Sequence, residues 1–244
     1  ENYETLQFFE QMVEQLGETF RIQPQIVACD MHPGYLSTRW AEQHVGESAI
    51  EQLVSVQHHH AHIASVMAEH GLTGERPVIG VAFDGTGYGT DGAIWGGEFL
   101  IADYASAQRV AHVKYIPLPG GDAAIRKPYR TALAHLWASG LDWEDDLPAV
   151  AAAPPAERRI LAQQLARDVG TVPTSSVGRL FDAVSSIVGV RQAITYEAQA
   201  AIELEMQVDE TVEDGYDFDF DGLEIDAASC VRAVARDVRA GTSV

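Results

Sequence analysis

An α/β fold is the expectation, and two observations carry it. Short apolar runs that read as strands alternate with segments whose apolar residues recur at helical spacing. One run, Pro77-Val78-Ile79-Gly80-Val81-Ala82-Phe83-Asp84, is apolar until its terminal acid, the pattern of a strand covered on both faces.

In chain order, Leu6, Phe9, Val13 and Leu16 recur at helical spacing, with Gly17 near the expected helix end. Ile26-Val27-Ala28-Cys29, closed by Asp30, reads as a buried strand, and Met31-His32-Pro33-Gly34-Tyr35 as a turn. A helix then turns Leu36, Trp40 and Ala41 inward, and 53–56 forms the next strand. A helix from His58 continues through Ile63, Val66 and Met67 to a stop at Gly71. After the strand ending at Asp84 comes a glycine-rich turn, Asp84-Gly85-Thr86-Gly87-Tyr88-Gly89, then strand-like runs over 93–102 and 109–116. Strands in such close succession predict an antiparallel meander, whereas a Rossmann unit places a helix there. Residues 117–122 are expected as a loop, 127–139 as a helix, and 142–155 as an exposed connection, acidic and then Ala/Pro-rich. A helix over 156–169 and a loop over 170–176 precede helices over 178–188 and 197–208. A solvated acidic stretch, 209–221, leads to a last helix over 226–239.

The 244 residues suit one large or two small domains, and 46% hydrophobic residues suffice for a core. With 36 acidic residues against 16 basic, the net charge of −20 repels phosphate backbones, which argues against nucleic-acid binding. The only cysteines, Cys29 and Cys230, form neither a CxxC pair nor a disulfide framework. No signal-peptide pattern opens the chain and no apolar run approaches the length of a membrane span, so a cytoplasmic protein is expected.

Four imidazoles lie within Val56-Gln57-His58-His59-His60-Ala61-His62. On a helix, His58 and His62 share a face one turn apart, a workable spacing for two metal ligands; the alternative is a polar helix start. Asp84, at the end of a strand, can add a carboxylate to that pair, and two His with a carboxylate suit zinc or iron. Gly85, Thr86 and Gly87 read as an anion-binding turn or as a plain hairpin, and Trp95-Gly96-Gly97-Glu98 as tight packing beneath it. Arg126 and Arg130, i and i+4 at an expected helix start, suit a phosphate or carboxylate, or else a solvated face paired with acids. Ser175-Ser176 caps the helix carrying Gly178 and Asp182. A nucleoside over Gly178 with its ribose on Asp182 is one account, and helix packing is the other. Glu197 stands at an expected helix start, either for a cofactor or as a favourable terminal charge.

The segments CDMHPGYLSTRWA, VQHHHAHIAS, FDGTGYGTDGAIWGGEFL, LPGGDAAIRKPYR, SSVGRLFDAVSSIVG and YEAQAAIELE, in this order, resemble the Kae1-like domain of the HypF family. They cover most of residues 26–205. The resemblance implies an actin-like (ASKHA) ATPase, Kae1-like α/β fold, incomplete here, with a subdomain boundary near 117–126. The family's acylphosphatase, zinc-finger and YrdC-like domains are not in the chain, and its later glycine loop and distal Asp ligand are expected beyond this region.

The resemblance further implies a carbamoyltransferase of [NiFe]-hydrogenase maturation. Carbamoyl phosphate and ATP would give carbamoyl-adenylate in a YrdC-like domain, and the carbamoyl group would pass to the C-terminal cysteine of HypE. Carried onto this sequence, His58, His62 and Asp84 hold a divalent metal, with zinc or iron expected and magnesium the further candidate. His59 and His60 stand outside the ligand set. Gly85, Thr86 and Gly87 match the phosphate loop, Gly178 and Asp182 match the residues that hold the nucleoside, and Glu197 is expected to join the nucleotide site. Asp84, Arg126 and Arg130 are expected to form the catalytic set. Binding of nucleotide by this stretch alone is expected to be weak. A small-molecule O-carbamoyltransferase and a non-catalytic interaction module are the alternatives.

Overall fold

The computed structural model describes residues 2–46, 50–209 and 211–242. The two runs around the first acid form β1 (Ile26–Asp30) and β2 (Gln52–Val56), paired in parallel with Asp30 opposite Val56. Between them lies α2 (Leu36–His44), and before them α1 (Tyr3–Phe20), which runs past Gly17 and is capped by the Asn2 side chain accepting from Thr5 N. Of the α2 residues expected inward, Ala41 is buried whereas Leu36 and Trp40 are half-buried. The histidine segment is α3 (His58–Glu69). Gln57 begins it twice over, its Oε1 accepting from His60 N and its Nε2 donating to Tyr88 O, so the helix start is pinned to a distant strand.

That strand, β3 (Val78–Tyr88), does not stop at Asp84. It pairs antiparallel with β4 (Ile94–Ala102), which pairs antiparallel with β5 (Ala107–Val113), as a meander requires. The chain reverses later, at 89–92, where Gly89 N bonds Ala93 O. Phe83 pairs with Gly97 and Gly87 with Trp95, so Asp84, Gly85 and Thr86 together face Gly96 alone. The expected turn is therefore a bulge within a strand, a device that re-aims side chains. Nor is β3 covered on both faces. Ala82 is buried against α3, but Ile79, Val81 and Phe83 are 78%, 51% and 59% exposed, because α3 covers only one side.

The seven-stranded sheet runs β6 (Ile116–Pro119), β7 (Thr171–Thr174), β4, β5, β9 (Glu224–Asp226), β8 (Asp219–Asp221), with β3 on β4. Two expected loops are thus strands. Pro117 and Pro173 face each other across the β6–β7 pair, and β7 meets β4 only at Thr174, so neither proline interrupts a ladder that needs its N–H. The end of the acidic 209–221 stretch supplies β8, and Glu210 lies outside the described residues.

The helical core joins α5 (Pro128–Ala138), α6 (Pro148–Ala152), α7 (Pro155–Arg167), α8 (Val177–Ile187) and α10 (Ala228–Arg239) around Leu133, Leu136, Ile187 and Val231. The 142–155 stretch is not an exposed connection. Leu147 and Val150 are fully buried in this core, three residues apart on the turn of α6. The remaining helices are α4 (Asp122–Arg126) and α9 (Gln199–Glu205). Among the described residues no helix is long and apolar enough to cross a membrane.

His135 sits within α5, buried, its Nε2 without a hydrogen-bond partner. Burial pushes its pKa down to about 4 from the usual 6.5. The unfolded chain takes up this proton at a higher pH than the folded one, so the neutral ring's stabilisation is complete above pH ~6.5 and is lost towards pH ~4. Urea titrations are expected to show His135→Leu losing about 3 kcal/mol less than wild type across that window. Equal losses contradict a neutral buried ring.

Candidate metal centre and cleft

The bulge and α3 meet at one point. His58 Nε2 lies 3.0 Å from Asp84 Oδ2 and 3.1 Å from His62 Nε2, and His62 Nε2 lies 3.7 Å from Asp84 Oδ2. One ligand atom from each of His58, His62 and Asp84 falls within 4.8 Å of the others. The i,i+4 pair supplies two imidazoles from one helix face, and the bulge turns the carboxylate to meet them.

Asp30 sets the chemistry of His58. At the end of β1, its Oδ2 accepts from His58 Nδ1 at 2.7 Å, while its Oδ1 accepts from His32 N at 2.7 Å. A proton on Nδ1 leaves a lone pair on Nε2, aimed at the carboxylate oxygen of Asp84. That oxygen is buried and has no hydrogen-bond partner. Acceptors converging at such distances repel unless a cation or a proton lies between them. The N,N,O donor set, one imidazole oriented by a carboxylate, fits zinc or iron; magnesium prefers oxygen ligands. Asp30 escaped sequence reasoning as a site residue, and its only signal was an acid closing an apolar strand.

The neighbouring histidines are otherwise engaged. His59 is fully buried and takes Gln57 Nε2 on its Nδ1 at 3.1 Å; desolvation lowers its pKa against the opposing pull of Asp84 and Glu98. His60 bonds Asp103 O at 2.7 Å. Gly87 does not face the cleft. A Cβ there would lie 2.8 Å from His59 Nε2 and 2.9 Å from His58 Cδ2, so the glycine admits the α3 rings onto β3.

Below the bulge, Glu98 is fully buried and accepts from Gly96 N, Gly97 N, Ser175 Oγ and Arg109 Nη1. Arg109 stacks 4.1 Å over Trp95 and donates to Tyr115, whose hydroxyl donates to Asp91. Burial first, then the bond to Asp91, push the Tyr115 pKa up to about 12. The glycines and acid of β4 thus do pack under the bulge. Ser176, the N-cap of α8, completes the support, its Oγ 2.7 Å from both Asp84 O and Gly85 O and accepting from Arg179 N.

A cleft of about 930 Å³ opens beside these three side chains, lined by His58, His62, Asp84, Gly85 and Thr86 on one wall. Gly178, Arg179 and Asp182 line another, and Arg126, Tyr196 and Glu197 a third. The cleft gathers every candidate residue except Gly87 and Arg130. The expectation that Arg126 and Arg130 share a helix face is incorrect. Arg126 ends α4, Lys127 is extended (φ −129°, ψ 81°), and Pro128 starts α5. Proline disfavours the helical region for the residue before it, which explains the break. Arg130 is bound to Glu157 at 2.5 Å, alongside Tyr129 and Lys127. Arg126 faces the cleft, with no ion pair among the described residues.

Gly178 is explained by packing. A Cβ would lie 2.7 Å from Gly85 Cα and 3.0 Å from Asp84 O, so the close neighbour is the β3 bulge. Asp182 is buried 3.1 Å from Arg179 Nη1; desolvation raises its pKa to about 6, with Arg179 opposing the shift. Glu197 precedes α9 by two residues and is exposed at the cleft wall, separated from the helix by Ala198 in the left-handed region (φ 59°).

Residues 80–244 match the family model described as "Carbamoyltransferase, Kae1-like Domain, second subdomain", and residues 1–69 match "HypF Kae1-like domain". Carbamoyltransferase HypF2 of Cupriavidus necator is 43% identical over 206 residues, 84% of this chain and 24% of that protein. Carbamoyltransferase HypF of Synechocystis is 40% identical, over 84% of this chain and 28% of that protein. A crystal structure of full-length HypF in the phosphate- and nucleotide-bound form superposes with a TM-score of 0.88 at 40% identity, covering 100% of this chain and 31% of that one. The chain therefore spans about a quarter to a third of these relatives.

Proposed function

The chain belongs to the HypF carbamoyltransferase family, and on that premise we propose that its cleft is the metal- and nucleotide-binding part of a carbamoyl-transfer site. The family name carries a role in hydrogenase maturation. The finer reading is that carbamoyl-adenylate, made from carbamoyl phosphate and ATP in a YrdC-like domain of a longer polypeptide, is the donor. The acceptor is the C-terminal cysteine thiolate of HypE. In the transfer the thiolate sulfur bonds the carbamoyl carbon, the bond from that carbon to the adenylate phosphate oxygen breaks, and AMP leaves with the electron pair. The product thiocarbamate is the precursor of the cyanide ligand.

The observation that supports this reading best is the convergence of His58, His62 and Asp84 at the edge of a cleft that also holds Arg126, Asp182 and Glu197. The two imidazoles and the carboxylate would hold the divalent ion. A bound ion supplies Lewis acidity, stabilising negative charge on the phosphate leaving group. Asp30 keeps the His58 lone pair aimed into the site. Arg126 contributes a second positive charge for the phosphate. Asp182 offers an unsatisfied buried oxygen to a ribose hydroxyl, and the Gly85-Thr86 bulge brings backbone close to the phosphates.

The test is carbamoyl transfer by the chain supplied with the rest of the HypF polypeptide, assayed on a HypE tail peptide and on hydroxyl acceptors. Transfer to the thiol alone is expected. Transfer to hydroxyls alone contradicts the acceptor assignment. Asp30→Asn is expected to weaken metal affinity about 10–100-fold with little loss of fold, because it disturbs the orientation of a ligand and leaves the ligand itself in place. Competition with a chelating dye measures this, and wild-type affinity in the variant contradicts the role of Asp30.

A further inference from the structure

We infer that Arg179 is the residue that binds the phosphate nearest the ribose in this cleft; the inference rests on the nucleotide reading above. Arg179 is 6% exposed, in the first turn of α8, between the bulge and Asp182. Nη2 lies 3.3 Å from where a Cβ on Gly85 would stand, and Nη1 lies 3.1 Å from Asp182 Oδ2. Yet Nε and Nη1 have no hydrogen-bond partner, and neither has Asp182 Oδ2. The pair is close without being bonded.

A buried guanidinium carries five donors, and each polar group left unsatisfied costs about 1–3 kcal/mol. Glu98, the comparable buried charge beneath the bulge, is bonded on both oxygens. Arg179, by contrast, retains unpaired donors for something else. A phosphate is a fitting partner, because its oxygens accept from several directions and its charge exceeds what Asp182 provides. Burial also raises the Asp182 pKa in spite of Arg179, as expected where the two groups do not neutralise each other fully. With a phosphate on Arg179, Asp182 Oδ2 is released to accept from a ribose hydroxyl. Arg126, across the cleft, faces the same space.

The test compares AMP with adenosine at millimolar concentration, in EDTA so that no metal contributes a preference. Ligand-induced NMR shifts give the affinities and thermal midpoints confirm folding. Wild type is expected to prefer AMP by about tenfold or more, the range of a charged hydrogen bond, and Arg179→Met to lose most of that preference with adenosine affinity retained. An undiminished AMP preference in Arg179→Met overturns the assignment. Equal binding of the two ligands by wild type also overturns it and leaves the nucleotide reading standing. Binding of neither in EDTA overturns this inference, and the same titration with zinc present then tests the nucleotide reading by itself. If Arg179→Met fails to fold because Asp182 is left without its cation, the double variant Arg179→Gln, Asp182→Asn removes both charges. The AMP-to-adenosine ratio in that variant is unaffected by a ribose contact common to both ligands. A preserved preference there overturns the assignment, and a lost one supports it.

Discussion

His58→Ala is expected to reduce carbamoyl transfer in the reconstituted enzyme by about 100-fold or more, the largest functional effect of any single substitution outside the core. The reason is the number of contacts that converge on one ring. His58 bonds Asp30 through Nδ1 and faces Asp84 and His62 through Nε2. Alanine removes a ligand and leaves the Asp30 and Asp84 carboxylates, each partly buried, without the imidazole between them. His60→Ala is the matched control. Its ring lies in the same run but bonds Asp103 O, so transfer is expected to stay within a few-fold of wild type. The comparison uses initial rates on the HypE tail peptide. Unchanged rates in His58→Ala favour the alternative of an interaction module that has kept the fold without the chemistry.

Gly178→Ala is expected to destabilise the fold by about 3 kcal/mol, the upper range for overpacking, and to weaken metal binding at the same time. The added methyl meets Gly85 Cα at 2.7 Å and Asp84 O at 3.0 Å, and both are backbone atoms with no rotamer to change. Relief requires α8 to move away from β3. That movement pulls Ser176 Oγ from the Asp84 and Gly85 carbonyls and shifts the carboxylate that faces His58. Gly215→Ala provides the comparison, since nothing lies within 4 Å of a Cβ there and its φ is outside the left-handed region. Chemical denaturation of both variants checks the difference. Wild-type stability in Gly178→Ala contradicts the packing account.

Both effects trace to residues that local pattern made legible to different degrees. The His58/His62 pair could be read from spacing, because an i,i+4 relation on a helix depends on nothing distant. The strand leading to Asp84 was equally plain from its apolar run. The bulge was hidden, because Asp-Gly-Thr-Gly has the composition of a turn, and only pairing with Trp95 and Gly97 keeps the chain extended through it. Pairing also makes strands of the proline-bearing 116–119 and 171–174 segments. Leu147 and Val150 were masked by acidic and Ala/Pro-rich surroundings, and their burial depends on the gap that α5 and α8 leave. Pro128 is itself a sequence signal for the break between Arg126 and Arg130. Asp30 had only the weak signal of an acid closing an apolar strand, and Arg179 had none. Their meaning arises from what β1 and α8 bring near the bulge.

The most direct test of the central claim is metal content. Elemental analysis of anaerobically purified protein is predicted to find about one zinc or iron per chain. The ion is predicted to be lost in His62→Ala and Asp84→Asn and kept in His60→Ala. Wild-type protein without stoichiometric metal, or an ion retained in full by His62→Ala, would contradict a centre built from His58, His62 and Asp84.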